Sequence, residues 1–255
     1  MRLSCEVHGS GRSVAFVHGF TQTRRSWAPL LRQLDTPMEV CTIDAPGHGD
    51  STDGSRSVAQ AGDDIAETMS RGTLVGYSMG ARMSLHAALQ HPRHVTGLVL
   101  ISGTPGIEDA QARADRRSAD EALALRLETE GLEAFIDRWL ALPMFAGLSP
   151  ETDQRADRLT NVAVRLAESL RHAGVGTQVD VWDRLDSLTM PVLLIAGAND
   201  SKFTNTARRM HERIPQSTLV ILDDVGHTAH LEDPIRCAAS MDEWLSTAQR
   251  HAHGE

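Results

Sequence analysis

A serine held between two glycines, Gly76-Tyr77-Ser78-Met79-Gly80, follows directly on the apolar run Thr73-Leu74-Val75. That run has the character of a short buried strand, and the residues from Met79 to about Gln90 carry apolar positions at helical spacing. The serine therefore falls at a sharp turn from strand into helix. Such a turn brings backbone close to neighbouring elements and leaves no room for a Cβ, so glycine is needed on both sides. Taken alone the pattern is a modest signal; the strand before it and the helix after it raise its weight.

The remaining periodicity agrees. Strand candidates recur at residues 14–18, 38–44, 73–77, 95–102, 191–197 and 218–222, with a candidate antiparallel edge strand at 3–7. Helix-like spacing of apolar residues occupies 25–34, 58–70, 79–90, 204–214 and 234–248. Strands alternating with helices predict a mostly parallel central sheet flanked by helices. The alternation stops between about Pro105 and Asp186, a stretch rich in Ala, Leu, Arg, Glu and Asp with breaks at Gly131, Pro143, Gly147 and Gly174. Helices inserted there would cover the carboxyl ends of the strands, where open α/β sheets bind ligands. The expected organisation is a core of residues 1–104 and 187–255 with an inserted helical cap of residues 105–186.

At 255 residues the chain suits one domain with a large core and an insertion. Its formal net charge of −9 argues against nonspecific nucleic-acid binding, which needs basic surface. An anionic substrate would have to be met by a local cluster of positive charge, almost all of it arginine, since Lys202 is the one lysine. Cys5, Cys41 and Cys237 are odd in number and widely spaced, with no CxxC. That suits free thiols in a reducing compartment, not a disulfide framework or a zinc site. No apolar run approaches membrane-spanning length, and the first residues lack a basic start followed by a long apolar stretch. The chain is expected to be cytoplasmic, without a membrane partner. The final His251-Ala252-His253-Gly254-Glu255 reads as a frayed tail.

Ser78 needs a histidine to take its proton, and that histidine needs a carboxylate to fix its tautomer. His227 is the best placed, in the turn-like Asp224-Val225-Gly226-His227 just beyond the last strand candidate; His230 is its rival. Asp200, at the carboxyl end of the strand candidate 191–197, is the candidate acid, with Asp223 and Asp224 as alternatives. Charge developing on a substrate oxygen also needs donors. Met79 N–H at the start of the helix is one. The turn His18-Gly19-Phe20-Thr21 offers the other, most naturally Phe20 N–H.

The segments Ala15-Phe16-Val17-His18-Gly19-Phe20, Asp44-Ala45-Pro46-Gly47-His48-Gly49-Asp50-Ser51, the serine turn and Gly226-His227 together resemble the α/β-hydrolase superfamily over essentially the whole chain. The order Ser78, Asp200, His227 matches its order of nucleophile, acid and histidine. Arg82 narrows the reading. It lies one helical turn after Ser78 on roughly the same face, where a cation opposes the helix dipole and needs an anion beside it. That anion is either an internal Asp or Glu, or a substrate carboxylate. Arg113, Arg116 and Arg117, with Arg155 and Arg158 further on, offer more such cations, most of them expected on a solvated face.

A narrower set of stretches is similar to the 2-succinyl-6-hydroxy-2,4-cyclohexadiene-1-carboxylate (SHCHC) synthase family of menaquinone biosynthesis. They are His18-Gly19-Phe20-Thr21, Gly76-Tyr77-Ser78-Met79-Gly80-Ala81-Arg82, Gly103-Thr104-Pro105-Gly106-Ile107 leading into Arg113-Ala114-Asp115-Arg116-Arg117, Trp139 before Pro143 and Phe145, Asp200-Ser201-Lys202-Phe203, and Gly226-His227-Thr228-Ala229-His230-Leu231-Glu232-Asp233-Pro234. The resemblance implies a lyase that takes a proton from a succinyl-bearing cyclohexene and expels pyruvate, without metal or organic cofactor. It also implies a small polycarboxylate substrate held by Arg82, Arg116 and Arg158, with Tyr77 and Trp139 beside them. Arg155 or Arg165 stands in for Arg158 where the match is loose. Two other classes remain: a serine hydrolase acting on a small carboxylated ester or ketone, and a non-catalytic receptor. Dehalogenase chemistry is disfavoured because its turn carries aspartate where Ser78 stands.

Overall fold

In the computed structural model, which describes the backbone of residues 1–252 and the side chains of residues 1–247, the apolar runs assemble into one sheet. Among the described residues its seven strands are β1 (Cys5–Gly9), β2 (Arg12–Val17), β3 (Met38–Ile43), β4 (Gly72–Tyr77), β5 (Val95–Ile101), β6 (Val192–Gly197) and β7 (Ser217–Leu222). Their spatial order is β1-β3-β2-β4-β5-β6-β7; β1 runs antiparallel to β3 and the other pairings are parallel. The helices are α1 (Ala28–Leu31), α2 (Val58–Thr68), α3 (Met79–Gln90), α4 (Ala110–Glu130), α5 (Leu132–Leu140), α6 (Arg155–Arg158), α7 (Ala163–Ala173), α8 (Ser201–Arg213), α9 (Ala229–Glu232) and α10 (Pro234–Ala252).

Alternation along each strand divides the core. Ala15 and Val17 of β2 enter one apolar layer with Leu74, Leu98, Ile65 of α2 and Met83 of α3, while Val14 and Phe16 enter the other with Val75, Val99, Leu30 of α1 and Met241 of α10. A fully buried side chain of this size contributes about 1.5–3 kcal/mol relative to exposure, so these layers hold the helices more firmly than propensity does. Local signals set the ends. Ser57 and Gln60 close a reciprocal capping box at the start of α2. The helix expected over 25–34 is instead a 3-10 turn, Arg24–Trp27, followed by the single-turn α1, because Pro29 can extend a helix only from its first turn.

The stretch between β5 and β6 carries α4 to α7. Leu127 of α4, Phe135 and Ile136 of α5 and Leu166 and Leu170 of α7 form an apolar cluster of their own, against which Phe20 packs. Val181, Trp182 and Leu185 belong instead to a sheet layer. Val181 N–H donates to Pro105 O at 2.9 Å, and Trp182 Nε1–H to Gly106 O at 3.2 Å, clipping the two ends of the excursion together. The separately packed helices thus end before residue 181, and the boundary expected at 186 falls inside the 3-10 turn Trp182–Ser187 that packs on the core. Among the described residues no helix is long and apolar enough to cross a membrane. Residues 251–255, expected as a frayed tail, lie outside the described side chains.

Candidate active site

Strand order places the site. The chain leaves β2 for β3 on one side and returns to β4 on the other, so the loops after β2 and β4 meet where the order reverses. Val17 pairs in register with Gly76, and Phe20 and Ser78 follow at the same edge. Ser78 has φ 50° and ψ −106°, a conformation that costs a non-glycine residue about 1–3 kcal/mol. It is pinned by Ser78 N–H donating to Ile101 O at 2.9 Å and by Arg82 N–H donating to Ser78 O at 3.2 Å. A Cβ at Gly80 would collide with Val17 O, and one at Gly76 would lie 2.6 Å from Ala81 Cα.

The three residues expected to work together meet. His227 Nε2 lies 3.0 Å from Ser78 Oγ, and His227 Nδ1 lies 2.6 Å from Asp200 Oδ2. Asp200 caps α8, its other oxygen accepting Phe203 N–H at 3.3 Å, so the carboxylate is fixed by the helix it starts. With Nδ1–H donated to Asp200, Nε2 is free to accept from Ser78. His230, the rival, packs between Trp27 and Tyr77, with ring centroids at 4.8 and 4.3 Å, and burial holds it well below the usual histidine range. Among the described residues the Asp223 and Asp224 carboxylates make no bond to His227; Asp223 contributes its carbonyl to Arg236.

Neighbouring backbone donors are engaged: Gly19 N–H with Gln22 Oε1 at 3.0 Å, Thr21 N–H with His48 Nε2 at 3.3 Å, Ser78 N–H with Ile101 O. Among the described residues Phe20 N–H and Met79 N–H have no such partner. Two buried histidines shape this turn. His48 donates Nδ1–H to Pro46 O at 3.0 Å and accepts from Thr21; His18 donates Nδ1–H to Gly19 O at 2.8 Å and accepts Ala45 N–H at 3.0 Å. Burial keeps both neutral, pushing His48 down to about 3 and His18 in the same direction.

A cavity of about 570 Å³ opens at Ser78, and Phe20, Arg82, Arg116, Trp139 and His227 lie on its wall. Arg82 is 8% exposed and donates Nη1–H to Gln178 Oε1 at 3.0 Å. Among the described residues no carboxylate pairs with it; burial, and then the Arg116 charge, push its pKa down to about 10. Arg116 donates to Asp120 Oδ1 at 2.8 Å, and among the described residues Trp139 Nε1 is buried without a partner. Tyr77 and Arg158, expected beside them, are not on this wall. The Tyr77 hydroxyl meets Thr228 Oγ1 at 3.3 Å and its ring packs on His227 and His230, burial raising the phenol. Arg158 is 1% exposed and bonded to Thr21 Oγ1 and Asp153 O, and among the described residues its buried Nη2 has no partner. The alternative Arg155 instead pairs at the surface with Asp137 and Glu133, and Arg165 is off the wall.

Some site residues escaped the sequence reading. Lys202, Thr206 and Arg209, at spacings of four and three, turn one face of α8 to the cavity. Arg209 lies 4.1 Å over the Trp182 ring and pairs with Glu108 at 2.8 Å. That periodicity was the available signal, hidden because the helix was expected to start at 204 and not at 201. Among the described residues no group of three or more His, Cys, Asp or Glu side chains is arranged to hold a metal ion.

Residues 14–240 match the alpha/beta hydrolase family. A 2-succinyl-6-hydroxy-2,4-cyclohexadiene-1-carboxylate synthase of Salmonella heidelberg (strain SL476) is 33% identical over 91% of this chain and 93% of its own. A Bacillus subtilis (strain 168) protein given that synthase name is 33% identical over 95% of this chain and 93% of its own. The solved structure of MenH from S. aureus superposes with a TM-score of 0.88 at 30% identity, covering 96% of this chain and 98% of that one. With its serine turn, its sheet order and these likenesses, the chain belongs to the α/β-hydrolase superfamily and, within it, to the SHCHC synthase family.

Proposed function

We propose that this chain catalyses the family's elimination: removal of a ring proton from 2-succinyl-5-enolpyruvyl-6-hydroxy-3-cyclohexene-1-carboxylate with loss of pyruvate, giving SHCHC for menaquinone biosynthesis. Ser78 Oγ, its proton drawn to His227 Nε2, takes the ring proton. The electron pair released forms the C2–C3 double bond, the ring's C3–C4 double bond shifts to C4–C5, and the C5–O bond breaks. Its electrons leave on pyruvate enolate, which takes a proton from the His227 imidazolium to become pyruvate. Asp200 fixes the histidine tautomer and stabilises the imidazolium. Phe20 N–H and Met79 N–H hold the enolate-like oxygen that develops on the succinyl ketone. Arg82 and Arg116 bind substrate carboxylates, and Trp139 Nε1 offers a further donor. Arg158, whose Nη2 is unpartnered among the described residues, is the third arginine that the family reading assigns to a substrate carboxylate, although it lies off the cavity wall. The helices α4 to α7 act as a cap, excluding water from the site. The free thiols Cys5, Cys41 and Cys237 support a cytoplasmic location.

One observation carries this reading: Arg82 is a buried cation beside Ser78 whose protein partner is neutral. A site for neutral esters has no use for it. The test is incubation with the family substrate in ¹⁸O water, followed by mass spectrometry of both products and of the intact protein. A label-free cyclic product, released pyruvate at early times and unmodified Ser78 are expected. A Ser78 ester on the productive pathway, or no pyruvate, would overturn the lyase and leave a serine hydrolase.

A further inference from the structure

His227 sits on the loop from β7 to α9, and its neighbours in the chain are bound by one carboxylate. Glu232 Oε2 accepts Gly226 N–H at 2.6 Å, and Glu232 Oε1 accepts Thr228 N–H at 2.8 Å. The carbonyl of His227 itself accepts Ser102 Oγ–H at 2.7 Å. The peptide units flanking the histidine are thus tied from both sides. Glu232 is half-buried, at the end of the single-turn α9, where Glu232 N–H returns to Thr228 O at 2.9 Å. Asp200 and the packed rings of Phe203 and Tyr77 hold the ring of His227; the bonds to Gly226, Thr228 and its own carbonyl hold its backbone. We propose that Glu232 is the positioning residue that sets the distance from His227 Nε2 to Ser78 Oγ, acting through the backbone on either side of the histidine.

A second contact links this clamp to the helical insertion. A Cβ at Gly147 would overlap Glu232 Oε2 and lie 2.5 Å from its Cδ. Gly147 follows the 3-10 turn Pro143–Phe145, and Phe145 itself lies 6.5 Å, ring to ring, from His227. The atoms a Cβ would meet are the free end of a side chain, so the carboxylate yields before the backbone does. A methyl group at 147 therefore displaces the clamp without touching the triad. The insertion and the histidine loop are fitted to each other at this point.

The inference rests on the triad reading and deepens it. A displacement near 1 Å in a reacting pair costs about 10²-fold, so Glu232→Ala is expected to lower kcat by about that factor with KM within about twofold. Glu232→Gln keeps one acceptor but turns an N–H donor toward the other peptide N–H, and falls between. Gly147→Ala lowers kcat in the same direction, and the double variant Gly147→Ala/Glu232→Ala is no worse than Glu232→Ala alone, because the side chain that the methyl group would displace is already gone. Steady-state kinetics of pyruvate release, with thermal midpoints for each variant, provide the measurement. A loss of thermal midpoint with unchanged kcat, or a raised KM with kcat preserved, makes Glu232 a structural strap and overturns the inference. Additive losses in the double variant overturn the link through Gly147. Ser78→Ala in the same assay separates the two layers: if it stays active the triad reading itself falls, whereas an inactive Ser78→Ala beside fully active Glu232 and Gly147 variants sinks the clamp alone.

Discussion

The guanidinium of Arg82 is buried in the cavity wall against Gln178 Oε1, 3.0 Å away, so its protein partner is an amide and not a carboxylate. Gln178 is fixed in turn by donating Nε2–H to Pro105 O at 3.0 Å, at the neck of the helical insertion. A buried cation needs hydrogen bonds and a compensating charge. The amide supplies a bond and leaves the charge for an incoming anion. The Arg116 charge adds to the pull on an anion, and Asp120, bonded to Arg116, offsets part of it.

Arg82→Ala is expected to weaken transition-state binding of a carboxylated substrate by about 2–5 kcal/mol, and Arg82→Lys to rescue only part of that loss, because the lysine lacks the planar fork. Gln178→Glu should raise KM for that substrate, since the new carboxylate would occupy the guanidinium from within. A neutral ester assayed in parallel should be far less affected by either change. Equal losses for charged and neutral substrates would make Arg82 a packing residue.

Ser78, His227 and Asp200 should behave as one unit. Ser78→Ala and His227→Ala are each expected to remove several orders of magnitude in turnover, and the double variant little more. Asp200→Asn leaves the histidine without a charged partner and costs less than removing the histidine. The discriminating measurement is kcat for the single and double variants; near-normal turnover in Ser78→Ala defeats the assignment.

The fold, and the meeting of Ser78, Asp200 and His227 at one edge of the sheet, were legible because both are written in local chemistry. Glycine at 76 and 80 answers a steric demand within the turn, and the apolar runs announce strands by their own composition. His227 and Asp200 each follow a strand directly, so position along the chain already placed them at one edge of the sheet. The pocket's charges were harder to read. Whether Arg82 meets Asp120, Gln178 or solvent depends on how α4 and the stretch after α7 fold back over α3, which periodicity does not encode. Arg155 and Arg158 are equally arginine in the sequence; one pairs at the surface, and the other is buried because Thr21 and Asp153 meet it. The helix expected over 25–34 failed on Pro29, a local signal that its apolar spacing outweighed.

Gly80→Ala tests the serine turn as a packing device. The new methyl group would strike Val17 O and lie 2.5 Å from His18 O, both backbone atoms of the β2 edge. Backbone in a central strand cannot yield as a side-chain end does, so stability should fall by about 1–3 kcal/mol. Urea unfolding should show a lower midpoint with unchanged slope. Full stability in this variant would mean that the turn has slack and that the glycine is not sterically required.

Acid should unfold this protein through its buried histidines. His18, His48 and His230 are fully enclosed, and burial pushes His48 down to about 3 while lowering His18 and His230 as well; His86 is pushed to about 4. An unfolded chain protonates each near pH 6.5. Below that pH the unfolded state binds more protons than the folded one. Each histidine's contribution is therefore complete above about pH 6.5 and is lost as pH falls toward its folded value. The expected slope is about 1.4 kcal/mol per pH unit for each such histidine. His48→Gln retains an acceptor for Thr21 N–H but does not titrate, so its slope between pH 6 and pH 4 should be shallower by about one histidine's share. Urea unfolding of both proteins at several pH values in that window measures the difference. Equal slopes would mean that His48 is protonated in the folded protein, and that the Phe20 turn is not organised by a neutral imidazole.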